Sequence, residues 1–77
     1  MHELSLMEDL VSVIASEVTD GKISVVRLEV GRHAGVLPRS LAFCFDVCAY
    51  GTALEGARLE IVETPGQELR LKEVEIE

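Results

Sequence analysis

The first three residues of the chain, Met1, His2 and Glu3, carry the donor atoms of a metal chelate. A bulky histidine at position two is expected to block removal of the initiator methionine, which keeps the free amine on Met1. This amine and the His2 backbone nitrogen close a five-membered ring around an ion, and the same nitrogen with the His2 Nδ1 closes a six-membered ring. Planar nitrogen donors suit Ni(II) and Cu(II), and the Glu3 amide nitrogen or an outside ligand would complete the set. From these residues alone, a frayed terminus is the simpler interpretation.

Other side chains with metal-binding or catalytic chemistry are few. The two cysteines, Cys44 and Cys48, lie four residues apart in an apolar run, form no CxxC pair and are far in sequence from both histidines. We expect them to be buried small hydrophobic residues rather than zinc ligands. His33 lies in a glycine-bracketed loop and is expected to be exposed to solvent. GxSxG, HExxH and phosphate-binding glycine loops are absent from the sequence, so an enzyme is not expected.

Composition excludes further classes of function. The chain has 77 residues and a net charge of −7, and its seven basic residues are scattered, which argues against a nucleic-acid partner. No apolar run is long enough to cross a membrane. The N-terminus lacks the basic start of a signal peptide, so we expect a cytoplasmic protein with reduced thiols.

Apolar periodicity predicts five elements in the order α-β-α-β-β. A capping box at Ser5–Glu8 predicts the start of the first helix, and Gly21 its end. Pro38 suits the first turn of a second helix, which Gly51 ends. The apolar parity of the last strand jumps after Leu71, which predicts a β-bulge at Lys72-Glu73. The predicted spans are a helix over about 5–19, a strand over 23–30, a helix over 38–50, a strand over 57–62 and a strand from 69 onward.

Each strand is apolar on one face only, which predicts a two-layer α/β fold: a three-stranded mixed sheet with both helices on one side. Strands one and two, joined through a helix, should be parallel, and strands two and three should be antiparallel. Pro65-Gly66 fits a tight hairpin poorly, so we expect a wider loop or exchange of the last strand in a homodimer. The other face should be solvated and carry cross-strand ion pairs among Arg27, Glu29, Arg58, Glu60, Arg70 and Glu75.

Several stretches resemble the HypA/HybF family, the nickel metallochaperones of [NiFe]-hydrogenase maturation. The similar stretches are the opening MHELSLME, the segment VRLEVG at 26–31 with GVLP at 35–38, GT at 51–52 with GARLEI at 56–61, and the ending ELRLKEVEIE. The resemblance covers nearly the whole chain. It implies that Met1, His2 and Glu3 bind Ni(II), and that the partners are a hydrogenase-maturation GTPase and the hydrogenase large subunit.

The chain departs from the family at one place. Family members carry a zinc domain with two CxxC pairs before the C-terminal strand, and here only Glu63–Gln67 stands there. The resemblance therefore implies a single nickel-binding domain over 1–77 without structural zinc, whether the zinc domain was lost by engineering or by nature. Two functions stay open: a nickel-binding chaperone module, and a metal-free docking domain that retains only the partner-binding surface.

Overall fold

The computed structural model describes residues 3–77 and confirms the predicted order of elements. They are α1 (Glu3–Glu17), β1 (Ile23–Gly31), α2 (Pro38–Ala49), β2 (Arg58–Thr64) and β3 (Leu69–Ile76). Neither helix of this part of the chain combines the length and the apolarity that crossing a membrane requires.

Both helices cover the same face of the sheet, as the one-sided apolar pattern predicts. Core residues from both helices pack against β1, whose Val26 and Leu28 are at most 1% exposed. The helical residues that recur every three or four positions form this contact: Met7, Val11 and Ile14 on α1, and Leu41, Phe45 and Ala49 on α2. The apolar side chains that recur with helical spacing on α1 and α2 and with strand alternation on β1 therefore form one core layer between the helices and the sheet.

The sheet order is β2-β1-β3, with β1 in the centre. β2 is parallel to β1 and β3 is antiparallel to it. β2 and β3 are thus antiparallel in direction, as predicted, but they are not neighbours and form no hairpin. The predicted bulge is confirmed, because Arg27 pairs with Glu73 and Leu28 with Leu71, which leaves Lys72 without a partner on β1. This extra residue places Leu69 and Val74 on the core side.

The short connection from β2 to β3 crosses the end of β1, and it replaces the hairpin that the sequence suggests. The carbonyl oxygens of Thr64, Gly66 and Glu68 accept hydrogen bonds from three consecutive amides, those of residues 31–33, at 2.6–2.9 Å. Gly31 makes this possible, since a Cβ atom there would lie 2.3 Å from the Gly66 carbonyl oxygen. β3 pairs with β1 of its own chain, and the predicted homodimer stays a prediction.

The start of α1 differs from the prediction. The helix includes Glu3, so Ser5 lies inside it and the predicted Ser5–Glu8 capping box is wrong. The apolar stripe of α1 begins only at Met7, and the helix extends past it toward the N-terminus through Leu4 and Glu3. Short connections join the end of α1 to the start of β1 and the end of β1 to the start of α2, so both helices run opposite to β1 and begin at the end of the sheet where β1 finishes.

The outer face of the sheet carries the predicted ion pairs. The Arg27 guanidinium contacts the carboxylates of Glu60, Glu73 and Glu75 at 2.7, 2.6 and 2.6 Å. Arg70 contacts Glu29 at 2.6 Å, and this contact raises the pKa of Arg70. The hydrogen bond from Arg27, reinforced by one from Arg58, holds the pKa of Glu60 below its usual range. Arg27 therefore lies at the centre of three carboxylates on this face and pairs with each of them.

Replacing Arg27 by methionine is expected to lower the free energy of unfolding more at neutral than at acid pH. Glu60 has a depressed pKa in the folded protein, so its contribution is present above the pKa of the unfolded chain and is lost as pH falls through the folded value. Without Arg27, three ionised carboxylates repel one another at neutral pH, and protonation relieves that repulsion. Urea denaturation at about pH 7 and about pH 3 measures the difference. Arg32→Met is the control, because Arg32 makes one long contact of 3.4 Å to exposed Glu63; an equal loss at both pH values for Arg27→Met would contradict the argument.

Candidate metal centre

Glu3, one of the three predicted ligands, lies in the first turn of α1 and is half-buried. The first four amide groups of a helix have no intrahelical acceptor. The Glu3 amide nitrogen is therefore not committed to the hydrogen bonds of the helix, and its deprotonation for metal binding would break none of them. The other two predicted ligands, Met1 and His2, lie outside the described residues.

An open cavity of about 530 Å³ lies between the beginning of α1 and the first two turns of α2. Its wall combines a carboxylate, a guanidinium, a hydroxyl and a thiol with two apolar side chains. The lining residues are Glu3, Leu4, Arg39, Ser40, Phe43 and Cys44. The cavity thus places the beginning of α1 beside polar groups that are distant in sequence.

The two cysteines are half-buried where α2 packs against α1, rather than in the centre of the core. Cys44 lines the cavity, whereas the Cys48 Sγ lies one helical turn farther on, 4.0 Å from the Leu4 carbonyl oxygen. Burial, with smaller effects of Glu8 and Cys44, raises the pKa of the Cys48 thiol. The sequence pattern placed both thiols on the apolar side of α2, but it contained no signal that one of them borders a cavity.

Residues 3–77 do not by themselves provide a complete metal site. Within that range, no group of three or more His, Cys, Asp or Glu side chains is placed to hold a metal ion. His33 is exposed, as expected, in the loop after β1, where its backbone amide donates to the Gly66 carbonyl at 2.9 Å. The predicted N-terminal chelate, of which only Glu3 lies among the described residues, stays a prediction.

The fold is that of a small two-layer α/β domain, with two helices on one face of a three-stranded mixed sheet. The solution structure of the Ni metallochaperone HypA from Helicobacter pylori superposes with a TM-score of 0.81 over 99% of this chain and 97% of that chain. The sequence identity is 18%, so this similarity shows the common fold.

Sequence similarity is closer among curated proteins. The family described as "Hydrogenase/urease nickel incorporation, metallochaperone, hypA" matches residues 1–69. The hydrogenase maturation factor HypA of Trichodesmium erythraeum is 44% identical over 66 residues, which are 86% of this chain and 58% of that protein. HypA of Cereibacter sphaeroides is 46% identical over 72 residues, 90% of this chain and 64% of that protein. The chain belongs to the HypA family, and it spans less than two thirds of the length of these relatives.

Proposed function

We propose that this chain is a cytoplasmic nickel-binding module that delivers Ni(II) during [NiFe]-hydrogenase maturation. The observation that carries the proposal is the family match, which begins at residue 1 and so includes the predicted ligands Met1, His2 and Glu3. Glu3 supports it further, because its amide belongs to the first turn of α1 and its side chain lines an open cavity. In this role nickel is cargo that the domain binds and releases.

The proposed chelate uses the Met1 amine, the His2 amide nitrogen and the His2 imidazole, with Glu3 beside them. A deprotonated amide is a strong donor that favours planar coordination of Ni(II). Copper is expected to compete, since it follows nickel in the Irving–Williams order and a planar nitrogen set accepts both ions. The same donors would give a reversible carrier, because protonation of the amide and imidazole releases the metal.

A Gly-Ser extension ahead of Met1 tests the chelate directly. The extension leaves every side chain in place but moves the free amine out of reach of the His2 nitrogen atoms. Calorimetric titration of Ni(II) is expected to show one tight site in the original chain and at least about a hundredfold weaker binding in the extended chain. Equal affinity of the two proteins would show that the Met1 amine is not a ligand, and the proposal would fall.

The proposed domain organisation is a single nickel-binding domain over residues 1–77. The position at which the family carries its zinc domain, about 63–67, falls on the crossover connection between β2 and β3. That connection is held by backbone hydrogen bonds and needs no metal to close. We therefore propose that this chain carries nickel without structural zinc.

A docking function is the second candidate, and an exposed helix face favours it. Phe43 and Val47 on α2 and Tyr50 directly after its end are 70%, 52% and 79% exposed. An apolar stripe of this kind is typical of surfaces that contact other proteins. The proposed partners are the maturation GTPase and the hydrogenase large subunit. A chain that binds the GTPase in calorimetry but takes up no nickel would favour the docking function over the carrier.

A further inference from the structure

β3 forms one edge of the sheet and presents a side to which another strand can bind. Within residues 3–77, β3 is paired with β1 alone, so its eight residues leave one row of backbone groups without a strand partner. An exposed edge of this kind is a template for further strand pairing. We propose that β3 pairs antiparallel with β3 of a second copy of this chain, which joins two three-stranded sheets into one. This interface is independent of the proposed nickel site.

The sequence of β3 is complementary to itself when the second copy runs in the opposite direction. Its first half, LRLK, carries two basic residues, and its second half, EVEI, carries two acidic ones. An antiparallel pair centred between Lys72 and Glu73 sets Lys72 opposite Glu73 of the second copy and Arg70 opposite Glu75. The twofold axis repeats each pair. Opposite charges directly across from each other stabilise a strand pair, whereas a shift by one residue would set Lys72 or Glu73 against its own copy.

The charged side chains that this register pairs are accessible at the sheet edge. Arg70, Glu73 and Glu75 contact residues of β1 and are still 66%, 51% and 52% exposed. Lys72 is exposed beside them and makes no ion pair with a carboxylate of residues 3–77. The second copy therefore supplies Lys72 with a partner and adds a contact to each of the other three side chains.

The bulge at Lys72 brings the apolar residues of both copies to one face. Residues three apart in a regular strand point to opposite faces. Leu71 and Val74 nevertheless share the core face, because both pair with buried residues of β1. Leu71 can therefore lie opposite Val74 of the second copy while the helices of both copies stay on the same side of the sheet. Leu69 and Ile76 are matched in the same way.

Apolar surface beside β3 gives the interface a hydrophobic component. A cleft of about 100 Å³ lies between α1 and β3, and its wall includes Leu6, Leu10, Leu69 and Leu71. At the same edge Leu71 is 39% and Ile76 51% exposed. Pairing of the two β3 strands sets these side chains against apolar residues of the second copy, and removal of apolar surface from water favours association.

Neither the opposite sheet edge nor an exchange of strands fits these features as well. β2 carries one basic residue, Arg58, against the acidic Glu60 and Glu63, so two copies of β2 cannot balance their charges. Exchange of β3 between chains would have to release the crossover connection, which donors of residues 31–33 hold by three backbone hydrogen bonds. Edge pairing leaves that connection and the pairing of β3 with its own β1 intact.

Sedimentation velocity of the unaltered chain and of Lys72→Glu, over a range of concentrations, tests the interface. The unaltered chain is expected to form a reversible dimer. Lys72→Glu sets like charges opposite each other twice across the axis, so the dissociation constant should rise at least about tenfold. A chain that stays monomeric at about 1 mM would overturn the proposal.

Arg39→Glu is the matched control, because it changes the net charge by the same amount at another place. Arg39 is exposed on the first turn of α2, and the neighbouring Pro38 lines a small cavity with Ile61 of β2, at the opposite edge of the sheet. This variant should dimerise like the unaltered chain. An equal loss of association in Arg39→Glu and Lys72→Glu would show a general charge effect and contradict pairing through β3.

A mixture of two variants tests the register itself. Lys72→Glu and Glu73→Lys should each dimerise weakly, since like charges then meet at the centre of the interface. In the mixture opposite charges meet again, so the heterodimer should recover the lost affinity. Circular dichroism checks the fold of Glu73→Lys, because Glu73 is one of the carboxylates that contact Arg27. Two folded variants that show no recovery when mixed would overturn the register.

Hydrogen exchange of the unaltered chain provides a measurement that needs no substitution. Dilution of the dimer should speed the exchange of the β3 amides that point away from β1, while the β2 amides keep their rates. A change confined to β2, or a dimer in which β3 gains no protection, would overturn the proposal. A dimer that does not dissociate on dilution would indicate strand exchange instead. Each of these outcomes leaves the nickel titration of the Gly-Ser extended chain as the separate test of the proposed function.

Discussion

Replacing His2 by alanine is expected to abolish tight nickel binding. The substitution removes the imidazole and with it the six-membered chelate ring, so the metal would keep only the amine and amide nitrogen of the terminal residues. A pair of donors without a third cannot hold Ni(II) against water at micromolar concentration, and we expect a loss of at least about a thousandfold. Calorimetric titration at neutral pH measures this loss.

His33 offers the matched control for that experiment, because it is the only other histidine of the sequence. It is exposed in the loop after β1 and does not line the cavity. His33→Ala should bind nickel with unchanged affinity. In the original chain, affinity should rise steeply with pH, because coordination takes protons from the His2 amide and imidazole. Tight binding that survives His2→Ala, or that is lost in His33→Ala, would place the nickel elsewhere.

Replacing Gly31 by alanine is expected to destabilise the fold by about 3 kcal/mol. The added Cβ would lie 2.3 Å from the Gly66 carbonyl oxygen and 2.6 Å from its carbon, and both are backbone atoms that cannot rotate away. Relief of the clash requires movement of the crossover connection, and this would break the hydrogen bond from the Gly31 amide to the Glu68 carbonyl. Urea denaturation reports the loss as a lower midpoint at unchanged slope.

Gly35→Ala is the control for steric overlap at Gly31. Gly35 has a φ of +78° but nothing within 4 Å of the position of a Cβ. It should cost only the strain of a left-handed alanine, about 1 kcal/mol. If Gly31→Ala were no more destabilising than Gly35→Ala, steric overlap between a side chain at position 31 and the crossover connection would be ruled out as the cause of the loss.

The architecture was largely predictable from the sequence because its signals are local. Period-two alternation in β1 and helical spacing in α2 each define one apolar face, and two such faces have only one compact arrangement when the opposite side of the sheet is charged. The bulge at Lys72 followed from the same reasoning, because one extra residue is the simplest way to return apolar side chains to the core face when their alternation shifts within a strand. The Arg27 ion pairs were predictable to the extent that alternation places charged residues on a common face.

Features that depend on neighbours distant in sequence were not predictable in this way. The position of β3 beside β1 depends on Gly31 accepting the close approach of Gly66, and no periodicity records such a contact. The capping box at Ser5 was misleading because Ser5 and Glu8 have the residue types and spacing of a helix start. The helix in fact begins at Glu3, farther toward the N-terminus. The cavity beside Glu3 arises from the packing of two helices, so the sequence gave no indication that Glu3 and Cys44 line the same space.

The crossover connection between β2 and β3 is a site at which this fold can accept an inserted domain. β2 ends at Thr64 and β3 begins at Leu69 on the other side of β1, so these two residues lie about two strand spacings, or roughly 10 Å, apart. A guest domain whose own termini are separated by that distance can replace the intervening residues while both strands keep their partners. Because α1 and α2 begin at this same end of the sheet, the guest would stand next to the Glu3 cavity. Loss or gain of such a guest can therefore alter the surroundings of the Glu3 cavity while the sheet stays the same.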